Sequence, residues 1–347
     1  MIPHAKVGHP DQLATAVESL VANGTAKGAR SIDLRVWDGI DARVLPDRGL
    51  DIGAAWFGGV PLAWISTNGE QGVALAEDLH EQAWKHVWGG GLVTTCGLSN
   101  VGAPSEGYGL HGTYSARAAA DVEVERTDTE LVVAGTIVDP PFTLRRRIIT
   151  TLGQGLLRID DLVTNDSEWT AAAPMLYHVN IGAPVWDGDA YLESDALDVV
   201  PRDEPSAAGL ETWDEPPALE AEAIERVFEH VGATWGRLVN PRLELELTVR
   251  SSFSRLWQWV DPVIGVNALA LEPANCSVLG RAHDIATGAM PFLDPGETRA
   301  SWLTVEVRRT SAVIFPPEPP RSARSMCRSS PARATERRPP REIRRGS

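Results

Sequence analysis

The chain has 347 residues, of which 43% are hydrophobic and 23% charged, with a net charge of −15 and three cysteines. That composition supports a sizeable core and excludes global disorder, and no apolar run approaches the roughly 18 residues of a membrane span. An odd cysteine count (Cys96, Cys276, Cys327) with no CxxC spacing excludes a disulfide framework and a cysteine-built zinc site.

In chain order, the opening MIPHAKVGHP lacks the apolar stretch of a secretory signal, so the expected location is the reducing cytoplasm. Residues 11–22 carry either a helical pattern or an opening strand. Period-2 or β-branched runs then occur at 31–37, 41–45, 122–126, 131–138, 142–151 and 156–164, and again at 190–200, 224–231, 243–250 and 302–307. Gly, Pro, Asn and Asp punctuate them, as in Asp139-Pro140-Pro141. Many strands without intervening helices predict an all-β packed sandwich forming a single domain over 1–315.

Residues 316–347 hold nine Arg, three acids and seven Pro, giving +6 and almost no apolar content. They are expected to form a disordered basic tail. The remaining 315 residues then carry −21. So acidic a body repels nucleic acid and anionic membrane surfaces and favours neutral small-molecule partners.

Cofactor signatures are missing from the sequence. Gly89-Gly90-Gly91 has no following GK[ST] and no βαβ context, and neither HExxH nor GxSxG occurs. Four segments place polar groups in apolar or glycine-rich settings instead. Arg48 and Asp51 sit in a predicted turn in Leu45-Pro-Asp-Arg-Gly-Leu-Asp51, as a local ion pair or as ligand contacts. His111 lies in Gly109-Leu-His-Gly112 after a glycine-rich run. On a strand over 174–184, His178 and Asn180 share a face, and burying them unpaired would cost about 1–3 kcal/mol each. Glu272 ends a small apolar strand before Pro273, where partial desolvation makes it a candidate general base. Asn275, Arg281 and His283 follow closely, and Trp257 and Trp259 share one face of the preceding strand.

Taken together, Leu-Pro-Asp-Arg-Gly-Leu-Asp, Gly-Leu-His-Gly, Tyr-His-Val-Asn-Ile-Gly and Leu-Glu-Pro-Ala-Asn-Cys resemble the aldose 1-epimerase (galactose mutarotase) family, in a divergent, largely uncharacterised branch of it. The resemblance covers roughly 30–308. It implies a large antiparallel β-sandwich (the galactose mutarotase-like supersandwich) with a sugar cleft on one sheet, and interconversion of the anomers of a free aldose without cofactor or metal. Under it, Glu272 is the general base and His178 the acid, with His111, Arg48, Asn180, Asp51, Trp259, Asn275 and Arg281 as substrate contacts. Two departures stand out. Asn180 follows His178 without the longer aromatic run of the well-studied members, and their substrate aspartate has only Asp187 as a weak counterpart. The implied partner is a monosaccharide, and a homodimer is compatible with the sequence. A non-catalytic sugar sensor and a sugar-phosphate epimerase or isomerase are the alternative readings.

Overall fold

Alternation along the strands decides which side of each is covered. In Phe142–Thr151, buried residues recur at every second position, with Phe142, Leu144 and Ile148 pointing into the core. Such strands need a second sheet to cover that face. The computed structural model describes residues 6–72 and 79–310, and there the chain forms two large antiparallel sheets with their apolar faces together.

One sheet has eight strands in the order Tyr191–Ser194, Trp235–Asn240, Leu245–Ser251, Thr298–Arg309, Leu156–Asn165, Phe142–Thr151, Glu130–Asp139 and Ala119–Arg126. The other has eleven. Its central strands run Asp51–Phe57, Val93–Gly97, Met175–Ile181, Ala268–Ala274, Arg255–Asp261 and Arg226–Val231. The expected all-β sandwich is therefore the observed architecture. Among the described residues, no helix is long and apolar enough to cross a membrane.

The middle of the larger sheet is covered on both faces. All seven residues of Met175–Ile181 are buried, and so are all seven of Ala268–Ala274. Met175, Tyr177, Val179 and Ile181 enter the core between the sheets, whereas Leu176 joins a smaller cluster on the outer face. That cluster contains Trp64, Trp84, Trp88, Trp257 and Cys96, and it forms the foundation of the site described below.

Of the two readings of residues 11–22, the structure has the opening strand, Ala14–Leu20, paired with Arg30–Val36. Several other local expectations differ from the structure. The 190–200 run divides into Tyr191–Ser194 and Asp198–Pro201, which join different sheets. Asp51 opens the strand Asp51–Phe57, so only Arg48 of that pair lies in the turn. Glu272 lies within its strand, which continues through Pro273. The 316–347 tail is outside the described residues.

Candidate active site

The register of the central strands brings His178 and Glu272 together. Met175–Ile181 and Ala268–Ala274 are antiparallel, with Leu176 opposite Ala274 and Val179 opposite Leu271. That register sets His178 across from Glu272. The ladder skips there because Pro273 has no N–H to donate. Thr94 pairs opposite His178 and Trp257 opposite Glu272, which makes a cross-sheet row Thr94, His178, Glu272, Trp257 on the outer face. His178 Nε2 stands 3.0 Å from Glu272 Oε1, and both residues are 3% exposed. The other imidazole nitrogen, Nδ1, is buried without a hydrogen-bond partner. Such an atom is costly in a sealed core and is common at sites awaiting a ligand.

Above the pair opens a cleft of about 620 Å³, lined by His178, Glu272, His111 and four tryptophans. Their rings interlock. Trp84 stacks on Trp88 at 4.6 Å, and Trp88 and Trp259 approach the His178 imidazole at 5.0 and 5.5 Å. Trp64 closes the set at 5.0 Å from Trp88. All four indole N–H groups are already used: Trp64 donates to Val266 O, Trp84 to Ser115 Oγ, Trp88 to Thr94 Oγ1 and Trp259 to Glu225 Oε2. The walls therefore present carbon faces, suited to the apolar face of a sugar ring. Lys85, Arg202, Asp203, Glu225 and Asp261 supply charge around the rim. Burial, with Glu225 nearby, pushes the Asp261 carboxyl up.

His111 enters the cleft from a loop folded over the end of Val93–Gly97. Its backbone is left-handed (φ 57°), its N–H donates to Gly102 O, and its carbonyl accepts from Gly97 N. The imidazole packs on Trp84 at 4.7 Å and lies 5.7 Å from that of His178. Burial, reinforced by His178 and Lys85, holds it well below the usual histidine range, so it is neutral at neutral pH. Gly102 makes the loop possible: a Cβ there would lie 2.0 Å from Val278 O.

Of the nine sequence-predicted site residues, His178, Glu272, His111 and Trp259 meet in the cleft, and the other five stand elsewhere. Asp51 turns into the core, where it accepts from Thr95 N and from Arg146 Nη1 at 3.0 Å; burial pushes its carboxyl up to about 6. Asn180 donates its amide to Gly91 O and His178 O, tying strand to loop. Asn275 clamps its own strand to the next, accepting from Met175 N and donating to Ala173 O. Arg48 is buried beside a separate space of about 30 Å³, with one long bond to Gly72 O, and desolvation lowers its pKa. Arg281 stacks on Tyr108 and donates to Ser99 O and Glu106, bracing the His111 loop. Asp187 pairs with Arg242 instead of facing the cleft.

Trp64, Trp84, Trp88, Lys85, Arg202, Glu225 and Asp261 line the cleft without having been singled out by sequence. The Trp84/Trp88 pair carried a usable signal, since residues four apart on a helical turn share a face. Among the described residues, no group of three or more His, Cys, Asp or Glu is arranged to hold a metal ion.

Known proteins resemble this chain chiefly in fold. A Klebsiella pneumoniae protein described as a "putative aldose 1-epimerase" superposes with a TM-score of 0.77 at 18% identity, covering 86% of this chain and 84% of its own. A galactose mutarotase-like protein from Clostridium acetobutylicum gives 0.57 at 13% identity, covering 86% and 99%. Another from Lactobacillus casei gives 0.54 at 17% identity, covering 80% and 100%. The fold is thus that of the galactose mutarotase-like sandwiches. No curated protein sequence matches the chain. Residues 26–307 match the family described as "Domain of unknown function (DUF4432)", and the chain belongs to that family.

Proposed function

We propose that the protein is an aldose 1-epimerase-like isomerase that interconverts the anomers of a free aldose. The reading rests on one observation: His178 Nε2 and Glu272 Oε1 stand 3.0 Å apart on the floor of a cleft walled by tryptophan. The two oxygens of a hemiacetal share one carbon, so opening the ring requires a base and an acid side by side. A neighbouring Glu–His pair meets that requirement.

In the forward half, the Glu272 carboxylate takes the proton of the anomeric hydroxyl while His178, as the imidazolium, delivers one to the ring oxygen. The C1–O5 bond breaks and C1 becomes an aldehyde. Rotation about C1–C2 presents its other face. Glu272 then returns its proton to O1, the ring oxygen's proton goes back to His178, and the ring closes as the other anomer. No proton or electron is gained or lost, so general acid–base catalysis suffices. Neutral His111 serves as a hydrogen-bonding contact for the sugar. Glu272, Glu225, Asp203 and Asp261 outnumber Lys85 and Arg202 in the cleft, which weighs against a phosphorylated sugar.

Polarimetry on freshly dissolved α-anomers of several aldoses tests the proposal. The wild type is expected to speed the approach to equilibrium, and Glu272→Gln to remove about 10²–10⁴ of that rate while sugar binding persists. A wild type that binds sugars and never changes the rate would identify a sensor instead.

A further inference from the structure

Trp259 is the cleft wall that links the His178 imidazole, 5.5 Å away, to the charged rim, and its placement is not left to packing alone. Its indole N–H donates to Glu225 Oε2 at 3.0 Å. Glu225 Oε1 accepts from Arg202 Nη2 at 3.3 Å, and Arg202 Nε donates to Asp203 Oδ2 at 2.7 Å. Asp203 caps the short helix Glu204–Ala207, accepting from the backbone N–H and hydroxyl of Ser206. Ser206, fully buried, in turn accepts from Val227 N, and Arg202 N donates to Val227 O. A continuous set of hydrogen bonds therefore runs from the strand Arg226–Val231 through the rim to the indole that packs 5.5 Å from the His178 imidazole. Charge assistance makes such contacts stronger and more directional than neutral ones.

We infer that Glu225 is a positioning residue: held by Arg202, it fixes the Trp259 ring against His178 and so sets the width of the slot in which a sugar must lie over the acid–base pair. Apart from that hydrogen bond, the Trp259 side chain is restrained by packing on the outer cluster. It is only partly buried, and among the described residues its other ring neighbours are Trp64 at 6.1 Å and Trp88 at 5.8 Å. Freeing the indole would leave the aromatic floor intact but let one wall turn. Loss of alignment costs rate more than affinity, because a misplaced reactant still binds.

The kinetic part of the test rests on the isomerase reading, so the test has two arms. In the first, ¹H–¹⁵N spectra locate the Trp259 indole N–H as the resonance missing from Trp259→Phe. It should move upfield and exchange faster with solvent in Glu225→Ala and Arg202→Met, and stay near its original position in Glu225→Gln, which keeps an acceptor oxygen. An unmoved resonance in Glu225→Ala overturns the inference whether or not the protein turns over any sugar. In the second arm, kcat for anomer exchange falls about tenfold in Glu225→Ala with KM nearly unchanged, and Glu225→Gln recovers most of it. A rise in KM at constant kcat would make Glu225 a direct sugar contact and likewise overturn the positioning role.

Discussion

The strand Met175–Ile181 carries two buried ionic groups on its opposite faces, and they are built differently. On the inner face, Tyr177 donates to Asp161 at 2.8 Å, and Asp161 also accepts both arms of Arg146, which in turn reaches Asp51 at 3.0 Å. Arg146 is completely buried, and it additionally donates to Gly49 O. On the outer face, His178 meets Glu272, one imidazole nitrogen has no partner, and a large cleft adjoins the pair. Residues one step apart in sequence thus belong to a closed ionic cluster and to an open one. Buried charge by itself does not mark a site. A buried charge with an unspent hydrogen-bonding atom beside a cavity is the better sign.

The inner cluster should dominate stability. Arg146→Met leaves Asp51 and Asp161 buried without their cation, and urea denaturation should show a loss of about 3–5 kcal/mol. If the loss is under about 1 kcal/mol, the inner cluster is not the structural tie that separates the two faces. A smaller effect is expected at the loop that delivers His111. Gly102→Ala combines a positive φ of 75° with a Cβ placed 2.0 Å from Val278 O. It should cost about 1–3 kcal/mol in the same assay, with the site losing more than the core.

The smallest effect is a shallow acid limb. His230, bonded to Ser194 Oγ and Gln258 Oε1 at 2.9 Å each, is held by burial below the ordinary value of 6.5, and His111 is depressed likewise. Below pH about 6.5 the unfolded chain binds protons at these two histidines that the folded chain refuses, so their contribution to stability falls with pH, opposed by the raised carboxyls of Asp51 and Asp261. Melting curves of His230→Gln should lose less stability, relative to wild type, between neutrality and pH 5. An unchanged slope would mean that His230 takes up its proton without cost.

Much of this was legible in the sequence because strand alternation records burial directly. The run 142–151 and the two faces of 174–184 needed no tertiary knowledge. Misreadings arose where long-range pairing decided the outcome. Pro273 seemed to end a strand, yet that strand passes through it because the ladder can lack one hydrogen bond there. Asp51, Asn180 and Asn275 were correctly read as polar groups in apolar settings, but their partners are a distant arginine and backbone groups that only the fold brings near. For the same reason three of the four tryptophan walls were hidden. Trp259 alone was picked out, from its strand before Glu272, whereas Trp64 and the Trp84/Trp88 turn lie far from it in sequence and only the fold joins them to it. The family resemblance pointed to His178 and Glu272, which the fold brings within 3.0 Å, whereas the rim formed by Arg202 and Glu225 emerges only from the fold.

The most direct test follows α/β anomer exchange of an aldose at equilibrium by magnetisation transfer, alongside the melting temperature of the same samples. Wild type should show enzyme-dependent exchange, and Glu272→Gln should lose it while melting close to the wild type. If the substitution leaves exchange at the wild-type rate, or if the wild type never produces it with any aldose tried, the outer pair is not the proton-transfer machinery proposed for it.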